Sequence, residues 1–135
     1  MSIPTTGNES PQHKNAKKRL CSIAEDMGMV AEYEVSTGTT KTEIGERNYT
    51  ADIFSFWTHA RTGVTHKIAF EVQGFKGHNS ARQQYRDNIR DQGHIRKGIC
   101  TVRIQMTDLV GKKKIDDTTI KHEIIWQLVN QGLNI

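Results

Sequence analysis

Residues 66–73 read HKIAFEVQ, an apolar–polar alternation of the kind a half-buried β-strand uses. A period of two sends Ile68, Phe70 and Val72 to one face and Lys67, Ala69, Glu71 and Gln73 to the other. The first set is a core face. The preceding run over residues 49–57, YTADIFSFW, is rich in aromatic and β-branched residues and predicts a second strand, joined to the first by a turn at residues 60–63. The two form an antiparallel hairpin, with Asp52 inside one strand and Glu71 inside the other. A carboxylate in a central strand costs free energy unless it is paired or binds a cation. The hairpin therefore dictates both a sheet and something to neutralise it.

Around the hairpin the pattern alternates between helix and strand. Residues 1–11 hold Pro4, Gly7 and Pro11 among small polar residues and read as a flexible arm; residues 12–135 form one domain. Ser10-Pro11 is a helix start. From there Ala16, Leu20, Ile23, Ala24 and Met27 recur at helical spacing, with Lys14, Lys17 and Lys18 assigned to the other side and Gly28 ending the helix. Residues 30–35 alternate as a strand, and the Thr- and Gly-rich stretch 36–46 reads as an exposed loop. Ser80 is placed to cap a second helix running to about Asp91 and closed by Gly93. Residues 99–105, ICTVRIQ, make a fourth strand; Asp116-Asp117 then cap a last helix carrying Ile120, Ile124, Ile125 and Leu128. The expected fold is α/β, a central mixed sheet of about four strands flanked by helices, in the order α-β-β-β-α-β-α.

At 135 residues there is room for one core, and an apolar content of 35% leaves much of the chain facing water. No run is long and apolar enough for a membrane span or a signal core, so no membrane partner and a cytoplasmic location are expected. Cys21 and Cys100 are far apart and outside any CxxC pair, which predicts two buried, reduced thiols. Nineteen basic against fifteen acidic residues give +4, a lean towards a polyanionic partner.

The chemistry follows from the hairpin. Mg²⁺ takes hard oxygen ligands and keeps several waters, so one or two carboxylates suffice. Asp52 and Glu71 supply them, with the Val72 carbonyl as a third ligand and Gln73 placed to hold an attacking water. Such a metal polarises a phosphodiester and neutralises the charge on the leaving oxygen. From spacing alone a second reading stands beside this one: a solvated, charged hairpin edge, with Asp52 paired to a nearby Lys or Arg.

The order of elements, with Asp52 on one strand and Glu71-Val72-Gln73 on the next, resembles the PD-(D/E)XK nuclease superfamily over residues 9–109. Locally it is similar to CoiA-type competence proteins in Glu9-Ser10, His13, Lys17, Ala51-Asp52, Glu71-Val72-Gln73, Arg82 and Tyr85, and archaeal Holliday-junction resolvases share the same core. The resemblance implies a restriction-endonuclease-like fold and a Mg²⁺-dependent DNA endonuclease, with Mn²⁺ as a substitute, working in DNA repair, recombination or defence. Asp52, Glu71 and Gln73 would be catalytic. Three departures stand out. Gln73 occupies the usual lysine position, and Ala51 stands where proline is common. Some relatives carry an acidic residue on the first helix, which neither Glu9 nor Glu25 matches; Glu9 and His13 are the accessory residues at that end.

On the second helix Arg82, Arg86 and Arg90 recur every four residues, a basic stripe suited to a phosphate backbone, which Lys76 and His78 in the preceding loop, together with Arg96, Lys97 and Arg103, would extend. Asp87 and Asp91 offer the opposing reading, intrahelical pairing of those arginines. Without a base-reading motif, DNA would be recognised by backbone or structure. Cutting two strands would call for a homodimer, with Ile120, Ile124 and Leu128 or the exposed face of a strand as contacts. Because of Gln73, a catalytically silent DNA-binding or scaffold protein of the same fold is the alternative, and a nuclease subunit completed by a partner is a third.

Overall fold

The computed structural model describes residues 10–42, 45–74 and 81–133, the side chains of residues 35–49, 82 and 83 lying outside that description. The elements run α1 (Pro11–Asp26), β1 (Val30–Thr42), β2 (Gly45–Thr58), β3 (Thr65–Gln73), α2 (Ala81–Arg96), β4 (Ile99–Gln105), α3 (Met106–Leu109) and α4 (Asp117–Asn130). This is an α/β protein in the expected order, with a single extra turn of helix, α3, after β4. The sheet has the order β1-β2-β3-β4. The first three strands form an antiparallel meander, and β4 lies parallel to β3. A parallel neighbour needs a crossover, which α2 provides.

Local chemistry explains most boundaries. The Ser10 hydroxyl accepts the His13 N–H at 3.1 Å and Pro11 opens α1, inside the segment assigned to the arm. Gly28, at φ 88°, makes the left-handed turn into β1. Residues 36–42 and 45–46, expected as a loop, are strand: their threonines suit extended backbone, and β1 and β2 pair as far as Thr42 opposite Gly45. Gly93 does not end α2. It is buried inside a helix that continues to Arg96, and the left-handed turn falls at Gly98, φ 71°.

Helices α1 and α4 cover the face that carries Ile53, Ile68, Phe70, Val72, Val102 and Ile104, and together they make the main core. On the opposite face α2 packs against β4, where buried His94 shares a hydrogen bond with the Thr101 hydroxyl at 2.7 Å. Burial lowers the His94 pKa to about 4, so the ring stays neutral. Ile120, Ile124 and Leu128 all point into the core, so none is a subunit contact; outward on the same helix lie Trp126 and Val129. Both cysteines are free thiols, Cys21 buried and Cys100 only half-buried, and burial pushes both pKa values up. Among the described residues, no helix is long and apolar enough to cross a membrane.

Two polar devices tie the C-terminal part to the rest. The Arg19 guanidinium on α1 donates to the carbonyls of Asp108, Leu109 and Ile115 and to the Asp117 carboxylate, fastening α1 to the segment between β4 and α4. On the outer edge of β4, Gln127 of α4 and Gln131, the cap of its C-terminus, each present an amide to one residue of the strand. The Arg103 N–H donates to Gln127 Oε1 at 3.0 Å, and Gln127 Nε2 donates to the Arg103 carbonyl at 2.8 Å. Gln131 repeats the arrangement on Thr101, at 3.1 and 2.7 Å. One helical turn matches two residues of strand.

Four backbone hydrogen bonds are at stake in that pair of glutamines. Replacing both with Ala should lower the stability by about 2–4 kcal/mol, at roughly 1 kcal/mol per bond, measured by urea unfolding. A loss below about 0.5 kcal/mol would mean that water satisfies the edge equally well.

Candidate active site

The pairing of β2 with β3 stops at Ile53 opposite Phe70. On the far side of that pair β2 continues with β1 alone and β3 with β4 alone, so the strands part at Asp52 and Glu71. The Asp52 carboxylate reaches across the gap: Oδ2 accepts the Val72 N–H at 2.8 Å. A side chain thus takes over where the ladder ends, and it fixes Asp52 beside the strand that carries Glu71.

Glu71 is buried, 8% exposed. Its Oε2 lies 3.6 Å from Arg90 Nη1, while Oε1 has no hydrogen-bond partner among the described residues. Burial first, and the neighbouring Asp52 charge second, push the Glu71 pKa up to about 8, against the pull of Arg90 and Arg103. Burial likewise raises Asp52, opposed by the Val72 N–H and by the charges of His13 and Lys17. Two carboxylates held together out of water, one with an oxygen unpartnered, suit a cation better than a proton.

Helix α1 closes the other side. His13 Nε2 lies 3.8 Å from Asp52 Oδ2, which puts the accessory histidine at the site. Lys17, one turn further on, has no exposed surface, and its ammonium donates to Glu34 Oε1 at 2.7 Å. The spacing argument had left Lys17 on the solvent side of α1. It stands on the buried stripe instead, three residues before Leu20 and seven before Ala24, and that spacing was the available signal. Glu34 was not anticipated. It lies on β1 between Tyr33 and Val35, which pair with Ile53 and Ala51 on either side of Asp52. It is also the one non-glycine residue with positive φ among the described residues, at 48°. Backbone held in that sparsely populated region costs about 1–3 kcal/mol and persists where its surroundings over-determine it. The ammonium of Lys17 is such a surrounding.

The remaining expected site residues divide. Gln73 shares the polar face of β3 with Glu71, but its Oε1 accepts the Gln105 amide at 2.8 Å, so the two form an amide pair at the rim. Val72 buries its side chain in the core and gives its N–H to Asp52. The arginine stripe is broken: Arg86 is exposed, whereas Arg90 turns inward to Glu71. Asp87 and Asp91 also look beyond α2. They face Arg103 of β4, whose guanidinium donates to both Asp91 oxygens at 2.6 and 2.7 Å and lies 4.0 Å from Asp87, which removes Arg103 from the exposed stripe. The Arg82 side chain, Glu9, Lys76 and His78 lie outside the described residues.

Among the described residues, no three His, Cys, Asp or Glu side chains are grouped to hold a metal ion. A Mg²⁺ site built on two carboxylates and water needs no such group, and Asp52 with Glu71 fits that lighter requirement. No protein-family model matches the chain, and no curated protein is significantly similar to it in sequence.

The folded protein holds the Glu71 proton up to about pH 8, whereas the ordinary value is 4.5. It therefore binds more protons than the unfolded chain across that window, and stability falls as pH rises through it. Glu71→Gln should raise Tm in EDTA, with the gain at pH 9 exceeding that at pH 5 by at least about 1 kcal/mol, roughly 3–5 °C. Equal gains at the two pH values would show that Glu71 ionises as an ordinary carboxylate.

Proposed function

We propose that this chain is a Mg²⁺-dependent DNA endonuclease with a restriction-endonuclease-like core, Mn²⁺ serving as a substitute. The observation that carries the reading is the buried Glu71 carboxylate, with one oxygen unpartnered among the described residues, set beside Asp52 where β2 and β3 part. The meander followed by a parallel strand agrees with it, as does the net charge of +4. Asp52, Glu71 and the Val72 carbonyl would hold the ion. When bound, it supplies Lewis-acid polarisation of the phosphodiester and neutralises the charge on the leaving oxygen.

The chain's own groups do the rest. The Val72 N–H keeps Asp52 oriented, and His13 presents a ring nitrogen to the same carboxylate. Gln73 and Gln105 offer amides at the rim that can hydrogen-bond a water or the substrate. Exposed Arg86 and Arg96 would contact the DNA backbone, with Arg82 and Lys76 added on sequence grounds. A homodimer would place two sites on two strands, and Trp126 and Val129 are the apolar residues that α4 offers for it.

One observation favours a second reading. The Gln73 Oε1 that would hold a water accepts the Gln105 amide instead, and no cation stands at position 73, so a silent DNA-binding protein of the same fold would look alike at this rim. Supercoiled-plasmid nicking with Mg²⁺ or Mn²⁺, run beside gel-shift binding in Ca²⁺, separates the two. Asp52→Asn and Glu71→Gln should each abolish nicking and leave binding intact or stronger, since each removes an anionic ligand and a charge that repels DNA. Gln73→Ala should slow nicking less than either. Wild-type nicking by Asp52→Asn would sink the site; binding by the wild type without cleavage across linear, flapped and four-way-junction DNA would favour the silent protein.

The split in the arginine stripe has its own consequence. Arg86→Ala should weaken DNA binding and reduce the log–log salt slope by about 0.9, the value of one phosphate contact. Arg90→Ala should leave that slope unchanged, because its guanidinium faces Glu71. Equal slope losses in both variants would return Arg90 to the DNA surface.

A further inference from the structure

We infer that the site takes a single divalent cation, and that the buried Lys17–Glu34 pair is what withholds a second. The inference rests on the metal-dependent reading above. Asp52 and Glu71 stand where the strands part and Glu34 adjoins Asp52 from β1; among the described residues two cations answer them, Lys17 at Glu34 and Arg90 at Glu71. Once a metal displaces the Glu71 proton, three negative charges against two positive ones leave one net negative charge among the described residues. Adding Arg103 with Asp87 and Asp91 brings the total to two. One dication brings the total to +1 or to zero, whereas two would leave +3 or +2 in a largely buried place, where uncompensated charge is most costly.

The geometry selects the same number. Paired dications in hydrolytic sites sit about 3.5–4 Å apart, and each needs its own oxygen ligands. Glu71 has an unpartnered oxygen to give and Asp52 stands beside it. The third carboxylate, Glu34, is already committed to an ammonium 2.7 Å away that has no exposed surface. Lys17 thus engages, with a fixed single charge, the carboxylate that a second metal would need as a ligand. The positive φ of Glu34 holds its carboxylate towards Lys17 at the level of Asp52.

Counting bound Mn²⁺ tests this without reference to turnover. Titration of the full chain with Mn²⁺, followed by the loss of the free-ion electron paramagnetic resonance signal, should show one ion per chain. Two ions of comparable affinity would overturn the inference and leave the nuclease reading standing. No bound ion would overturn both. Lys17→Met keeps an aliphatic chain in the buried position and releases Glu34, so a second Mn²⁺ should bind, and Lys17→Met with Glu34→Gln should return the count to one. A Lys17→Met protein with native circular dichroism that still binds one ion would remove Lys17 from the explanation. Should that variant fail to fold, the wild-type count still decides the stoichiometry, and Glu34→Gln, which leaves the count at one if the inference holds and lowers it if Glu34 is a ligand, decides the part of the pair.

Discussion

Crowding of negative charge at one end of the sheet governs much of this structure. Glu34 and Asp52 stand opposite each other on β1 and β2, Asp52 reaches across to β3 beside Glu71, and the three are half-buried or buried. Left alone they would repel one another and lose hydration together, so the surrounding helices answer them. Helix α1 brings Lys17 and His13, and α2 brings Arg90. Helix α1 has an apolar stripe that packs on the sheet, whereas the described contacts of α2 with β4 are polar, His94 with Thr101 and Asp91 with Arg103. Breaking one partner of such a buried pair commonly costs about 3–5 kcal/mol, a large fraction of the stability of a domain this size.

The parting of β2 and β3 is the other half of the arrangement. Had their ladder continued past Ile53 and Phe70, Asp52 would have no backbone donor left to hold and Glu71 would sit in a closed sheet. Because it stops, Val72 spends its N–H on a side chain. Beyond that point β2 stays with β1 and β3 with β4, so the two pairs diverge, and Asp52 and Glu71 line the divergence.

Much of this was legible in the chain. The alternation over residues 66–73 gives both the strand and the face on which Glu71 and Gln73 lie, and Ser10-Pro11 marks the start of α1 within a residue. What escaped did so for physical reasons. A threonine-rich stretch looks like a loop by polarity and a strand by backbone preference, and pairing with β2 decided in favour of the strand. A glycine in α2 reads as a stop unless a neighbour fills the space beside it, as the buried contact of α2 with β4 does at Gly93. Lys17, Arg90 and Arg103 were read as surface charges because lysine and arginine usually are; their partners, Glu34, Glu71, Asp87 and Asp91, lie on other elements and cannot be paired with them before the fold is known.

The glutamines on α4 have a bearing on polymerisation. An edge strand is a template on which another chain can add its own backbone, and growth by addition needs two open edges on every molecule. Gln127 and Gln131 occupy the template on β4 with amides that mimic the hydrogen bonds of an incoming strand. They are uncharged, so neither salt nor pH loosens them, unlike the lysines that often guard such edges. Among the described residues, a sheet sealed in this way at β4 has β1 as its other edge, and two chains joined there would each present a sealed side. The series would end at two.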